Sequence, residues 1–137
     1  MIRLTGIART FVVGEASAEL KQIYELVKRA NAAGRAIARP GVTGQDVDRA
    51  TRRVIAEAGY GQYFTHRTGH GLGLESHEPP YMVEGNTVPL EAGNVFTVEP
   101  GIYVPGLGGV RIEDDVLVTT NGAESVTTYP RELTVIG

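Results

Sequence analysis

The chain has 137 residues, with 13 basic and 16 acidic side chains and a net charge of −3. This length is sufficient for one domain with a hydrophobic core but too short for two domains of ordinary size. It has no basic, aromatic-interleaved face of the kind that binds nucleic acid or membranes, and no run of about 18 apolar residues that would predict a membrane span. Cysteine is absent, which excludes disulfides and thiolate ligands, and no export segment is visible, so we predict a single cytoplasmic domain over residues 1–137.

Two amphipathic helices are predicted in the first half of the chain. The first begins at Ser17, a favourable N-cap, and ends before Pro40. Its apolar residues recur at three- and four-residue steps: Leu20, Ile23, Tyr24, Val27, Ala30, Gly34 and Ile37. The second begins at Thr43, where the run TGQD resembles a capping box with Asp46 in place of Glu or Gln, and stops at Gly59. Its apolar stripe consists of Val47, Ala50, Val54 and Ala58.

From Tyr63 onward, short runs rich in Val, Thr and aromatic residues are separated by Gly and Pro, which is typical of an antiparallel sheet. One hairpin is predicted in detail: a strand from Val95 to Tyr103, the connection VPGLGG, and a strand from Val110 to Thr119. A further turn is expected at Asn121-Gly122. Helices followed by strands predict an α+β fold in which two N-terminal helices pack on an antiparallel sheet.

The hairpin brings two acidic residues into register. If its turn is centred on Gly106, Glu99 and Glu113 face each other directly, with Cβ atoms about 5 Å apart, where like charges destabilise a sheet. A cation between them would relieve this repulsion; otherwise both are solvated, or one is protonated. A bulge or a one-residue shift would send one glutamate to the other face.

All three histidines lie in one glycine-punctuated stretch, HRTGHGLGLESHEPP. Imidazole and carboxylate hold Zn, Mn, Co or Fe(II) at neutral pH when a rigid frame directs them at one point. Gly69, Gly71 and Gly73 favour such a frame, because residues without a Cβ let backbones approach closely. With the histidines present, a metal-centred hydrolytic site becomes the preferred interpretation of the two glutamates.

Five segments follow one another from Arg9 to the end of the chain: RTFVVGEASAELKQIYELV, PGVTGQDVD, AGYGQYFTHRTGHGLGLESHEPP, AGNVFTVEPGIYVPGLGGVRIEDDVLVT and YPRELTVI. In content and order they closely resemble the carboxy-terminal part of the pita-bread metallopeptidases, above all the Xaa-Pro aminopeptidases and Xaa-Pro dipeptidases (prolidases). The resemblance implies a partial pita-bread (creatinase-aminopeptidase) fold, representing the C-terminal half of a catalytic domain.

The same resemblance implies a metal centre. His70 in TGHGLG, Glu99 in VEPG and Glu113 in RIEDD match three ligands of a divalent cation, Mn, Co or Zn. By analogy with the family, the metal-activated water cleaves an Xaa-Pro bond of a proline-containing peptide.

Roles in substrate binding and catalysis also follow from the resemblance. Glu99 matches the proton shuttle, His77 the histidine that contacts the scissile carbonyl, and Arg111 the arginine that receives a substrate carboxylate. His66 matches a histidine of the substrate pocket and is not expected to be a ligand. Tyr103 lies near the metal or, as the more common case, serves as packing. The neighbours of Glu113, Asp114 and Asp115, are expected to be hydrogen-bonding or strand-end residues.

The chain departs from the family pattern at its start. Gly6 stands where the family has a ligand aspartate, no acidic residue precedes Glu15, and the family's other aspartate comes from a preceding half-domain. We therefore expect a weak His-Glu-Glu site and impaired activity, and the sequence leaves open whether the chain is active at all. The alternatives are an inactive peptide-binding or structural module and a folded relic of a truncated peptidase. A half-fold exposes apolar surface, so a homodimer is also expected.

Overall fold

The structure is a computed structural model and describes residues 6–137. In this range two α-helices lie against strands arranged in one five-stranded and two two-stranded sheets, so the predicted α+β class is confirmed. The helices in residues 6–137 are all too short or too polar to cross a membrane. The assignment of residues 1–137 to a single domain stays a prediction.

Helix α1 (Ala18–Ile37) begins where the sequence predicts. Ser17 is its N-cap, and the Ser17 hydroxyl accepts a hydrogen bond from the Leu20 amide at 3.1 Å, which satisfies one of the donors that a helix start leaves unpaired. The helix ends at Ile37, ahead of Pro40. The predicted stripe is confirmed in its middle, whereas its end residues Leu20 and Ile37 are only half-buried. The buried residues of α1 are Ile23, Tyr24, Leu26, Val27, Ala30, Asn31 and Gly34.

Helix α2 (Gly44–Glu57) has the predicted ends but a rotated buried face. Thr43 and Asp46 form a complete capping box, and Gly59 follows the helix with φ +86°. The predicted stripe was wrong in part: Ala58 is exposed, and Ala50 and Val54 are half-buried. Its buried residues are Gly44, Val47, Asp48, Thr51 and Ile55.

Two polar residues, Asp48 and Thr51, lie on the buried face of α2. Asp48 accepts hydrogen bonds from the Thr68 amide and hydroxyl and from Arg52, while the Thr51 hydroxyl donates to the Val47 carbonyl at 2.9 Å. Buried polar groups are tolerated when they are paired in this way. An apolar pattern alone does not reveal such pairing.

In the described residues, nine strands form the sheets: β1 (Phe11–Val13), β2 (Gly69–Gly71), β3 (Glu78–Met82), β4 (Val95–Val98), β5 (Gly101–Val104), β6 (Gly108–Arg111), β7 (Asp114–Val118), β8 (Ala123–Ser125) and β9 (Thr134–Ile136). The five-stranded sheet has the order β3-β2-β4-β7-β8 and is antiparallel throughout, as predicted. Strands β5 and β6 form a separate antiparallel pair. The parallel pair β1–β9, which joins the two ends of the described chain, was not predicted.

The predicted hairpin has the predicted register. Val98 faces Asp114 in one part of the ladder and Gly101 faces Arg111 in the other, as a turn centred on Gly106 requires. The prediction of two continuous strands was wrong, because each is interrupted in the middle. Glu99-Pro100 and Ile112-Glu113 occupy the interruption, which divides the hairpin into the pairs β4–β7 and β5–β6.

The interruption has a hydrogen-bonding cause. The Glu99 amide donates to the Thr68 carbonyl at 2.7 Å, and the Glu113 amide donates to the Ala8 carbonyl at 2.9 Å. Proline has no N–H, so Pro100 donates nothing to the ladder. The backbone of each glutamate is therefore held by a neighbouring segment and not by the opposite strand.

The core lies between the helices and the sheets in two clusters. One joins both helices to the β5–β6 pair and includes Ile23, Tyr24, Val27, Ile55, Ile102, Val110 and Ile112. The other lies under the five-stranded sheet and includes Val47, Met82, Leu90, Phe96, Val98, Val116 and Val118. The interruption of the hairpin falls between strands that contribute to both clusters, so packing on both sides supports the two glutamates.

Candidate metal centre

The structure brings His70, Glu99 and Glu113 together. One potential ligand atom from each of these residues lies within 4.8 Å of the other two. His70 is the central residue of β2, Glu99 follows β4 and Glu113 precedes β7, so three adjacent strands of one sheet supply the donors. The His70 Nε2 to Glu99 Oε1 distance is 3.2 Å.

Strand β2 holds His70 in one orientation. A side chain on Gly69 would overlap the backbone carbonyl of Thr97, so only glycine permits this close approach of β2 to β4. His70 Nδ1 lies 2.9 Å from the Gly71 carbonyl, which can only accept. Nδ1 therefore carries the proton, and in the neutral ring the lone pair of Nε2 faces the glutamates, as a metal-binding histidine requires.

Thr97 connects the histidine to a glutamate. Its hydroxyl accepts a hydrogen bond from the His70 amide at 3.1 Å and donates one to Glu99 Oε1 at 3.1 Å. The residue is fully buried, and it was not among the predicted site residues. Its position two residues before Glu99, on a strand where alternate side chains share a face, was the available signal.

The negative charge of Glu113 is unfavourable without a cation, because the carboxylate is partly buried and lies near other acidic residues. Burial, together with the negative charges of Glu99 and Asp115, raises the pKa of Glu113 to about 7, although the nearby Arg111 lowers it. The predicted repulsion between the two glutamates is therefore present in the structure. A divalent cation would relieve it, and protonation of Glu113 is the alternative below about pH 7.

The space beside Glu113 also fits a cation. Asp115 is 2 % exposed, and its Oδ1 is buried without a hydrogen-bond partner among the residues that the structure describes. A Cβ built on Gly6 would lie 3.2 Å from both Asp115 Oδ1 and Glu113 Oε1, so these oxygens border the same small space. Imidazole and carboxylate donors around a buried space of this kind suit Mn, Co or Zn.

Asp114 has a purely structural environment. Burial alone would raise the pKa of Asp114, but hydrogen bonds from Arg131 and Arg9 outweigh it and hold the pKa below its usual value. These bonds measure 2.7 to 3.1 Å, and the carboxylate is fully buried. The interpretation of Asp114 as a hydrogen-bonding residue at a strand end agrees with this environment.

The remaining predicted site residues line one cleft next to the glutamates. It is bordered by His66, Arg67, His77, Val83, Glu99 and Arg111. His77 is exposed, and its ring centroid lies 4.3 Å from that of His70. All six residues to which the sequence assigned a role therefore lie in or beside the cleft, whereas their chemical roles stay predictions.

Tyr103 is more than a packing residue, which corrects the more common reading of a strand tyrosine. Its hydroxyl lies 2.8 Å from His66 Nε2 and accepts a hydrogen bond from Arg111 Nε at 2.8 Å. His66 Nδ1 donates to the Arg67 carbonyl at 2.7 Å, so the neutral ring accepts at Nε2 and the Tyr103 hydroxyl donates to it. Burial lowers the pKa of His66, assisted by the positive charge of Arg111, and this favours the neutral ring.

Comparison with known proteins identifies relatives over nearly the whole chain. The model of metallopeptidase family M24 matches residues 4–120. The uncharacterized peptidase YqhT of Bacillus subtilis is 52% identical over 132 residues, 96% of this chain, and the Xaa-Pro dipeptidase of Pyrococcus horikoshii is 48% identical over 129 residues, 94% of this chain. The chain spans 37% of the length of each of these two relatives.

Solved structures agree with this result. The Xaa-Pro dipeptidase from Bacillus anthracis superimposes with a TM-score of 0.92 at 51% identity, covering 95% of this chain and 37% of that protein. Because this agreement extends over nearly the whole chain, the predicted partial pita-bread fold is confirmed.

Proposed function

The chain belongs to metallopeptidase family M24, and on this premise we propose that it is a metal-dependent Xaa-Pro peptidase, a dipeptidase or aminopeptidase of impaired activity. The observation that carries the proposal is the convergence of His70, Glu99 and Glu113 within 4.8 Å beside an open cleft. Relatives named as Xaa-Pro dipeptidases support the choice of substrate bond.

In this proposal His70, Glu99 and Glu113 hold the divalent cation. When bound, such a cation lowers the pKa of water to near neutrality and polarises the carbonyl under attack. Glu99 accepts the proton of the attacking water at its carboxylate and passes it to the leaving nitrogen. The Thr97 hydroxyl, 3.1 Å from Glu99 Oε1, keeps that carboxylate in position during the transfer.

The residues of the cleft bind the substrate. His77 donates a hydrogen bond to the scissile carbonyl oxygen, a role that its exposed ring beside His70 supports. Arg111 receives a substrate carboxylate through its terminal nitrogens, because its Nε is already bonded to Tyr103. His66, kept neutral and hydrogen-bonded to Tyr103, forms the wall of the pocket.

The absence of a side chain at Gly6 favours the alternative function, peptide binding without turnover. The family pattern has a ligand aspartate at this position, so a centre built from His70, Glu99 and Glu113 binds the cation more weakly. A cleft that retains Arg111 and His77 would still recognise a peptide. In that case the protein is a binding module or a folded relic of a peptidase.

Metal analysis of the purified protein tests the proposal. We expect one of Mn, Co or Zn to bind to the unaltered protein and not to Glu113→Ala, followed by slow hydrolysis of an Xaa-Pro dipeptide when that metal is added. Metal binding and peptide binding without hydrolysis would favour the alternative function. If neither metal nor turnover is found, the peptidase proposal is wrong.

We also propose that two copies of the chain associate. An apolar face next to the metal centre is formed by Ile7, Phe11, Val126 and Tyr129, each between 43% and 48% exposed. Exposed apolar surface of this kind favours association. Sedimentation velocity at micromolar concentration tests this, and a stable monomer would contradict it.

The cytoplasmic location likewise stays a proposal. It is supported by the absence of cysteine from the chain.

A further inference from the structure

One buried carboxylate beside the centre has no function in the mechanism above. Asp115 lies on β7 and is 2 % exposed. Its Oδ2 accepts a hydrogen bond from the Gly6 amide at 2.7 Å, while its Oδ1 is buried and has no partner in the described part of the chain. A carboxylate oxygen withdrawn from water without a donor is unfavourable, so a buried oxygen of this kind requires a partner, which a bound cation can supply.

The unpaired oxygen faces Glu113 across a space that Gly6 leaves open. A Cβ at Gly6 would lie 3.2 Å from Asp115 Oδ1 and 3.2 Å from Glu113 Oε1. The missing side chain therefore matters for the space it leaves, which is bordered by one oxygen from each of two acidic residues.

We propose that Asp115 is a metal ligand of this chain, acting with Glu113 at the space beside Gly6. The inference rests on the proposed function, because Glu113 also belongs to the group with His70 and Glu99. Two carboxylate oxygens at this point provide hard donors, which suit Mn²⁺ better than Zn²⁺. Asp115 thereby supplies a carboxylate beside Gly6, the position at which the family pattern has a ligand aspartate.

Asp115→Asn is the informative substitution, since it keeps the shape of the side chain. The amide oxygen can still accept the hydrogen bond from Gly6, and the amide nitrogen then faces Glu113 as a neutral donor. The metal-free variant should unfold at the same temperature as the unaltered protein or higher, because one of two neighbouring negative charges is gone. Its affinity for Mn²⁺ should fall about tenfold or more, which is the loss found when a residue that supports a metal site is replaced.

Gly6→Ala tests the same space without changing a charge. Its methyl group would occupy the position 3.2 Å from both oxygens and should also weaken Mn²⁺ binding. Asp46→Asn serves as the matched control, because it removes the same charge at the N-terminus of α2, in a capping box remote from the glutamates. This control should bind Mn²⁺ as the unaltered protein does.

The experiment is a calorimetric titration with MnCl₂ of the unaltered protein, Asp115→Asn, Gly6→Ala, Asp46→Asn and Glu113→Gln, with thermal unfolding in EDTA as the folding check. The unaltered protein is also titrated with CoCl₂ and with ZnCl₂. Weaker binding by both Asp115→Asn and Gly6→Ala supports the inference. If both bind normally and only Glu113→Gln loses the metal, Asp115 is not a ligand while the proposed centre stands. If the unaltered protein binds no Mn²⁺, Co²⁺ or Zn²⁺, the centre and the inference both fail. Should Asp115→Asn fail to fold, Gly6→Ala decides.

Discussion

Glu99 and Glu113 face each other at the point where their hairpin separates into two sheets. On one side of them β4 pairs with β7, and on the other side β5 pairs with β6. The amides of both glutamates bond to other segments, at Thr68 and Ala8. The break in the ladder thus places the carboxylates of Glu99 and Glu113 beside His70. The amides of both glutamates remain hydrogen-bonded, because other segments supply the acceptors.

The raised pKa of Glu113 predicts how stability changes with pH in the absence of metal. Its pKa is about 7 in the folded protein against 4.5 in the unfolded chain, so between these values the folded state binds more protons. The free energy of unfolding therefore falls as pH rises from 4.5 to about 7 and levels off above that. Thermal unfolding in EDTA across this range measures the trend.

Glu113→Gln should remove this part of the pH dependence. The lowered pKa of His66 acts in the opposite direction, because the stability that His66 contributes is lost as pH falls. Both proteins contain His66, so the difference between their free energies of unfolding at each pH reports on Glu113. Added Mn²⁺ should stabilise the unaltered protein above pH 7 and progressively less below it, because protons compete for the ligand. An unchanged slope in Glu113→Gln would show that Glu113 titrates normally.

Asn31 is predicted to hold the hairpin together at its break. Its Nδ2 donates to the Val98 carbonyl at 2.9 Å and approaches the Ile112 carbonyl at 3.5 Å, which are the carbonyls directly preceding Glu99 and Glu113. Asn31→Leu leaves these buried acceptors unpaired and should lower the free energy of unfolding by about 1–3 kcal/mol in urea titrations. Asn121→Ala, in an exposed turn, should change it by less than about 0.5 kcal/mol. Equal effects of the two substitutions would exclude this function of Asn31.

Gly69→Ala is expected to disrupt the position of His70. The added Cβ would overlap the backbone carbonyl of Thr97, which cannot move away without separating β2 from β4. We expect a loss of about 3 kcal/mol in the free energy of unfolding, at the upper end for overpacking, together with loss of metal binding. Gly122→Ala is the control, because the nearest atom to its Cβ would be Thr119 Oγ1 at 4.0 Å. Metal binding by Gly69→Ala at normal affinity would contradict this account.

Arg111 is predicted to influence the protonation of His66. Burial is the main reason that the pKa of His66 is low, and the positive charge of Arg111 lowers it further. Arg111→Gln should therefore raise this pKa, which can be followed by NMR titration of the imidazole nitrogens. Arg53→Gln removes a charge from the exposed face of α2 and should leave the pKa unchanged. If both variants titrate as the unaltered protein does, the arginine does not act on His66.

Local features could be predicted from the sequence because neighbouring residues produce them. Ser17 and Thr43 cap their helices through contacts three residues away, and Gly59 stops α2 through its own backbone conformation. The turn at Gly106 determines the register of the whole hairpin, so the opposition of Glu99 and Glu113 could be counted from residue numbers alone.

The tertiary structure alone decided what depends on residues far apart in the chain. Asn31 meets Val98 from 67 positions away, and Gly6 meets Asp115 from 109 positions away. The sequence by itself determined which side chains this protein offers as donors and which strands carry them. Whether Asp115 faces solvent or an unfilled space beside Glu113 was settled by packing, because burial and the pairing of polar groups depend on every element that surrounds them.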